Sequence, residues 1–97
     1  MKKHTYDFER ELEGLTFRAP SRRKRSKYDV FDENDTYITS FGSSIHSQFF
    51  DRIGYYSHLD HKDTDRMRNY HLRFKTHSNP PKPRSPLYFS TYYLWAW

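Results

Sequence analysis

The core of this chain has to be made of rings. It holds eight phenylalanines, nine tyrosines and two tryptophans, against a hydrophobic fraction of only 34% over 97 residues. Ordinary soluble domains run roughly 45–50% apolar with glycine counted. A chain of this length forms one small domain at most. It leaves much of its surface in water even when fully compact. A core drawn from fewer than about 80 residues supplies only roughly 3–5 kcal/mol. No disulfide can add to that, because there is no cysteine. The same absence excludes thiolate zinc sites, iron–sulfur clusters and cysteine nucleophiles, and is compatible with a reducing compartment. Segments that fail to reach the core are therefore expected to need a partner to pack against.

Charge is unevenly placed. The net charge is +5, and all twelve acids lie at or before Asp65. From Arg66 to Trp97 there are six Lys and Arg and no acid. That final third must face solvent, an anion or an acidic protein surface. Ser21 to Lys27 concentrates the positive charge, with Arg22, Arg23, Lys24, Arg25 and Lys27 in one run. Three readings of it stay open: contact with nucleic acid phosphates or an import receptor, a linker lying on an acidic protein surface, or a solvated segment. The first residues turn polar at once, so no secretory signal is expected. No apolar run approaches the roughly 20 residues of a membrane span.

Residues 1–20 read as an arm, with a short helix from about Asp7 to Glu13 broken by Gly14 and Pro20. Strand formers in Tyr28–Phe31 and Thr36–Phe41 flank the polar Asp32–Asp35, which predicts a hairpin. Gly42 permits a sharp exit. A short helix is expected from Ser43 or Ser44 to about Arg52, with Ile45, Phe49, Phe50 and Ile53 as its apolar positions. Asp63 is a good N-cap for a second helix over Thr64–Lys75, with Asp65 in its first turn and Arg73 and Lys75 in its last. Met67, Tyr70, His71 and Phe74 share one face of it, and core packing is the commoner use of such a face. The predicted core is Val30, Phe41, Phe49, Ile53, Tyr56, Leu59, Tyr70 and Leu94.

Asn79 to Pro86 holds four prolines in eight residues and is expected to run extended as a semi-rigid spacer. Six of the eleven residues from Leu87 to Trp97 are aromatic. Left exposed, such a segment aggregates. It must pack on its own core, enter a partner's groove, or do both. Large aromatics dominate interface hot spots, so Tyr88, Phe89, Tyr92, Tyr93, Trp95 and Trp97 are the candidate partner-binding residues.

Chemistry finds little purchase. His58, Asp60, His61 and Asp63 are the one cluster of ligand-like residues, and a capped helix start explains them more simply than a metal. The glycines are isolated, so no phosphate-binding loop is present. Ser40 and Ser90 lack a nucleophile-elbow setting. Asp32 and Asp35 lie where a turn needs them. No enzyme activity, metal or other cofactor is expected.

Several short motifs fall in a recognisable order. They are Lys27-Tyr28 and Val30; Phe41-Gly42; Asp51, Ile53-Gly54 and Tyr56; Leu59-Asp60-His61-Lys62-Asp63; Arg66, Asn69-Tyr70 and Arg73; and Ser85-Pro86, Tyr88-Phe89-Ser90 and Tyr93-Leu94-Trp95. In that order they resemble a family of short proteins encoded by large nucleocytoplasmic DNA viruses. Phe74 departs from the family's basic or histidine residue, and Ala96-Trp97 and the N-terminal arm extend beyond the pattern. The family carries no activity over. What the resemblance implies is a viral origin and a place in the virion, with the host cytoplasm or nucleus during infection.

The sequence thus predicts a small α+β fold, a β-hairpin plus two short helices, with extended N- and C-terminal arms. Residues 1–26 form the charged arm, 27–76 the core, and 77–97 the proline-rich spacer and aromatic segment. The expected function is that of a non-enzymatic minor capsid or virion protein in a multi-subunit assembly. It would bridge larger shell proteins through its arms. The alternative is a basic nucleic-acid-binding protein.

Overall fold

A computed structural model of the chain describes residues 4–75 and 82–95. Four strands, β1 (Phe8–Leu12), β2 (Leu15–Ala19), β3 (Ser26–Phe31) and β4 (Tyr37–Ser43), form an antiparallel sheet in sequence order. Among the described residues a single 3-10 turn (Ser57–Leu59) and two α-helices follow, α1 (Thr64–Lys75) and α2 (Pro86–Tyr93). The fold is the small α+β unit that the composition calls for. No helix among the described residues is long and apolar enough to cross a membrane.

The predicted hairpin is β3–β4. Asp32 closes it: its carboxylate accepts from the backbone N–H groups of Asn34 and Thr36, both at 2.9 Å. That is the local aspartate geometry that favours turns over regular structure. The segment before it is a second hairpin instead of an arm with a helix. Glu13 and Gly14 both take positive φ, 55° and 79°, as a two-residue hairpin turn requires, and Leu12 pairs with Leu15. Phe8, Leu12 and Leu15 then pack against the core while Glu9 and Glu11 stay in water. Pairing with β2, which carries Phe8 and Leu12 against the core, overrides the helix preference of the glutamates.

The core lies on one face of the sheet. Phe17, Tyr28, Val30 and Phe41 meet Phe89, Tyr93 and Leu94 of the C-terminal segment. The rings interlock as stacked and edge-on pairs: Tyr28–Phe41 at 5.6 Å, Phe41–Phe89 at 5.4 Å and Phe17–Phe89 at 6.1 Å between centroids. Such pairs contribute about 0.5–1.5 kcal/mol each beyond area burial. Of the predicted core, Leu59 alone is only half-buried.

The helix expected over residues 44–52 does not form. Side-chain oxygens take the backbone donors that a helix would need. Asp51 accepts from the N–H groups of Ile53 and Tyr56 at 2.9 and 2.8 Å, and Asp60 accepts from Asp51 N at 2.8 Å. Ile45, placed on the apolar stripe by sequence, is 73% exposed. The second helix is instead α2. Ser85 caps it by accepting from Tyr88 N at 3.1 Å, and Pro86 opens its first turn. The predicted helix over Thr64–Lys75 is α1, and Asp63 accepts from Asp65 N and Arg66 N at 3.0 and 3.2 Å as its cap. Of the predicted spacer, residues 79–81 lie outside the described residues, and Pro83–Ser85 turn into α2.

Candidate functional site

An antiparallel meander puts alternate connections at opposite ends. Glu13 and the acids of the Asp32–Asp35 turn lie at one end of the sheet, and the connection carrying Arg22, Arg23, Lys24 and Arg25 lies at the other. Those four basic residues are exposed. Their backbone is tied down by Asp29, a buried carboxylate on the face of the sheet away from the core. Asp29 accepts from Ser21 Oγ at 2.5 Å, Arg22 N at 3.0 Å, Ser40 Oγ at 2.6 Å and Tyr6 Oη at 2.5 Å. Burial alone raises its pKa. The donated bonds outweigh burial and hold it below the usual carboxylate range. Arg22 also lies over the Tyr37 ring, 4.0 Å from its centroid. The loop is thus a fixed platform of cations.

Lys27 does not belong to that platform. It is 1% exposed, and its ammonium donates to the carbonyls of Ser43 and of His46, the latter at 2.8 Å. Burial pushes its pKa down to about 8, against the opposing pull of Asp51 and Asp60. The expectation that Lys27 contacts nucleic acid or an acidic surface is corrected. Strand alternation cannot expose it, because the Ser43–His46 turn closes over it.

Beside the platform lies a cleft of about 640 Å³, bounded by the β2–β3 connection, the Ser43–Ser47 turn, α1 and α2. Arg25, His46, Ser47 and Arg73 supply its polar lining together with Ser43, Ser90 and, at its floor, the buried Lys27, with Tyr70, Leu94 and Trp95 as apolar wall. Tyr70 and Trp95 stack at 4.5 Å with their planes 3° apart. A smaller depression of about 290 Å³ adjoins it, lined by Arg66, Asn69, Tyr70, Arg73 and Trp95. Among the described residues, no acidic side chain lines either recess. Arg66 reaches across to Ser47 Oγ at 3.2 Å and ties α1 to the turn.

The aromatic candidates divide. Phe89 is fully buried and Tyr93 is 4% exposed, so both are core residues. Their assignment to a partner is corrected: α2 turns them onto the sheet. Tyr88 and Trp95 are half-buried and Tyr92 is exposed, while Trp97 lies outside the described residues. In the His58–Asp63 cluster, His61 Nδ1 accepts from Asp63 N at 2.9 Å and Asp63 caps α1. Burial and then Arg66 lower the pKa of His61. Among the described residues, no three His, Asp or Glu side chains are grouped to hold a metal.

The sequence did not reveal Asp29, Asp51, His46 or Ser47 as site-forming residues. Asp29 sits in a strand run and accepts from residues eight and eleven positions away, so its role needs the fold. Comparison with known proteins finds no family model, no curated protein and no solved structure that matches this chain.

Proposed function

We propose that this chain is a non-enzymatic binding protein that docks a nucleic acid on its basic end. The observation that carries this reading is the acid-free recess flanked by the Arg22–Arg25 platform and by Arg66 and Arg73 of α1. Phosphate contacts by arginine and lysine supply most of non-specific nucleic-acid affinity, and release of counterions makes it steeply salt-dependent. A ligand neutralising four cations on a single strand loses roughly 50-fold in affinity between about 50 and 200 mM salt. Fluorescence anisotropy with a labelled oligonucleotide across that range measures the slope. An affinity indifferent to salt removes the reading.

A bridging role in a viral shell is a second reading, supported by the exposed apolar side chains of Ile45, Phe50 and Leu72. It loses Phe89 and Tyr93 as reaching anchors. Stepwise stripping of particles, with the chain quantified by mass spectrometry, separates the two. Release with the shell protein, indifferent to nuclease, supports bridging; release on nuclease treatment supports genome binding.

A further inference from the structure

We infer that the cleft between the β2–β3 connection and α1 holds one nucleotide unit of a single strand, its phosphate against Arg25, His46 and Ser47, so that the protein selects single strands over duplex. This rests on the nucleic-acid reading above and gives that reading a substrate class.

Four features of the cleft point the same way. Its volume, about 640 Å³, falls within the roughly 300–1,000 Å³ of sites that enclose small ligands. Its lining combines the guanidinium groups of Arg25 and Arg73 with the Lys27 ammonium, an imidazole and hydroxyls, and among the described residues contains no carboxylate. Arginine matches phosphate oxygens by paired donors. His46 lines the cleft with its ring held by a hydrogen bond between Nδ1 and Ser43 Oγ at 2.6 Å.

The recess also has apolar depth. Tyr70 forms part of its wall although only 7% of that residue is exposed. Gly42 lines the cleft where Leu94 and Lys27 pack closely against its backbone. A Cβ there would stand 3.0 Å from Leu94 Cδ1 and 3.1 Å from Lys27 Cβ. The adjoining depression continues the path along α1, where Arg66 offers another cation and Asn69 an amide that both donates and accepts.

Depth is what separates the two forms of nucleic acid. A duplex turns its bases inward and presents phosphates on a stiff convex ridge, which meets exposed cations such as Arg23 and Lys24 but does not enter a recess. A single strand splays its bases and bends its backbone, so phosphate and base can enter together. Platform contacts therefore serve both forms, and cleft contacts serve the single strand.

The test measures anisotropy at one fixed salt concentration with two probes, a labelled oligothymidylate and a labelled mixed-sequence duplex. The unaltered chain is expected to bind the single strand about tenfold or more tightly, the range that one or more engaged bases supply. His46→Ala and, separately, the charge-neutral Ser47→Val are expected to remove most of that preference and leave duplex affinity within about twofold. Arg23→Ala is expected to weaken both probes alike. Equal affinity of the unaltered chain for the two probes overturns the inference, as does an equal loss on both probes in the cleft variants. Either result leaves the basic platform as the site. Binding to neither probe overturns the nucleic-acid reading itself.

Discussion

Arg25 and Lys27 stand two residues apart in one basic run, yet the fold uses them oppositely. Arg25 is exposed at the lip of the cleft. Lys27 is sealed beneath the Ser43–His46 turn with its ammonium on backbone carbonyls. A charge run in a sequence is thus not one object. Its exposed part is available to a partner and costs the fold little. Its buried part carries a desolvation penalty that only internal acceptors offset.

The comparison is broken most sharply at the buried polar residues around Lys27. Asp51→Ala removes the acceptor for Tyr28 Oη and for the N–H groups of Ile53 and Tyr56. Each orphaned buried donor costs about 1–3 kcal/mol, so we predict a loss of about 4 kcal/mol in urea unfolding. Gly42→Ala comes next. It must adopt a φ of 77° and press its Cβ against Leu94 and Lys27. We predict about 2 kcal/mol of destabilisation, read by the same method.

A pH effect follows in size. The Lys27 pKa of about 8 lies below its ordinary value of 10.5. Between those values the unfolded chain holds the proton and the folded chain does not, so stability rises with pH. We predict a gain of about 2 kcal/mol between pH 7 and about pH 9.5, absent in Lys27→Met. Tyrosines oppose it at higher pH. Burial and then a hydrogen bond to Asp29 raise Tyr6 to about 12. Tyr28 and Tyr93 are raised by burial and by their bonds to Asp51 and Glu13. Their stabilisation is complete below pH 10 and is lost as pH climbs above it, so the curve turns over near pH 10. The smallest effect on stability belongs to the platform. Replacing Arg23 or Lys24 by Ala is expected to change unfolding free energy by less than about 0.5 kcal/mol.

What was legible in the sequence follows the same division. Asp63 and Thr64–Lys75 carry an explicit cap and dipole pattern, and α1 forms where they place it. Tyr28–Phe31 and Thr36–Phe41 carry strand formers around an aspartate turn, and β3–β4 form there. Phe8–Leu12 misleads because its glutamates read as helical until the sheet brings Phe8 and Leu12 against the core. The 44–52 segment misleads because Asp51 and Asp60 take backbone donors across a loop, a pairing no local period displays. The aromatic ending needs cover, and Phe89 and Tyr93 find it on the sheet. Which rings α2 turns inward depends on Ser85-Pro86 starting a helix. The cleft was hidden for a related reason: Arg25, His46 and Arg73 lie far apart in sequence and meet only through the fold.

The most direct test of the central claim compares the salt dependence of oligonucleotide binding for the unaltered chain, Arg23→Ala and Lys27→Met. The exposed platform is predicted to carry the effect. Arg23→Ala then lowers the magnitude of the log–log slope by about 0.7 on a single strand, and Lys27→Met, which removes a charge already held by the Ser43 and His46 carbonyls, lowers it by less. A slope near zero for the unaltered chain, or an equal loss of slope in both variants, contradicts the account.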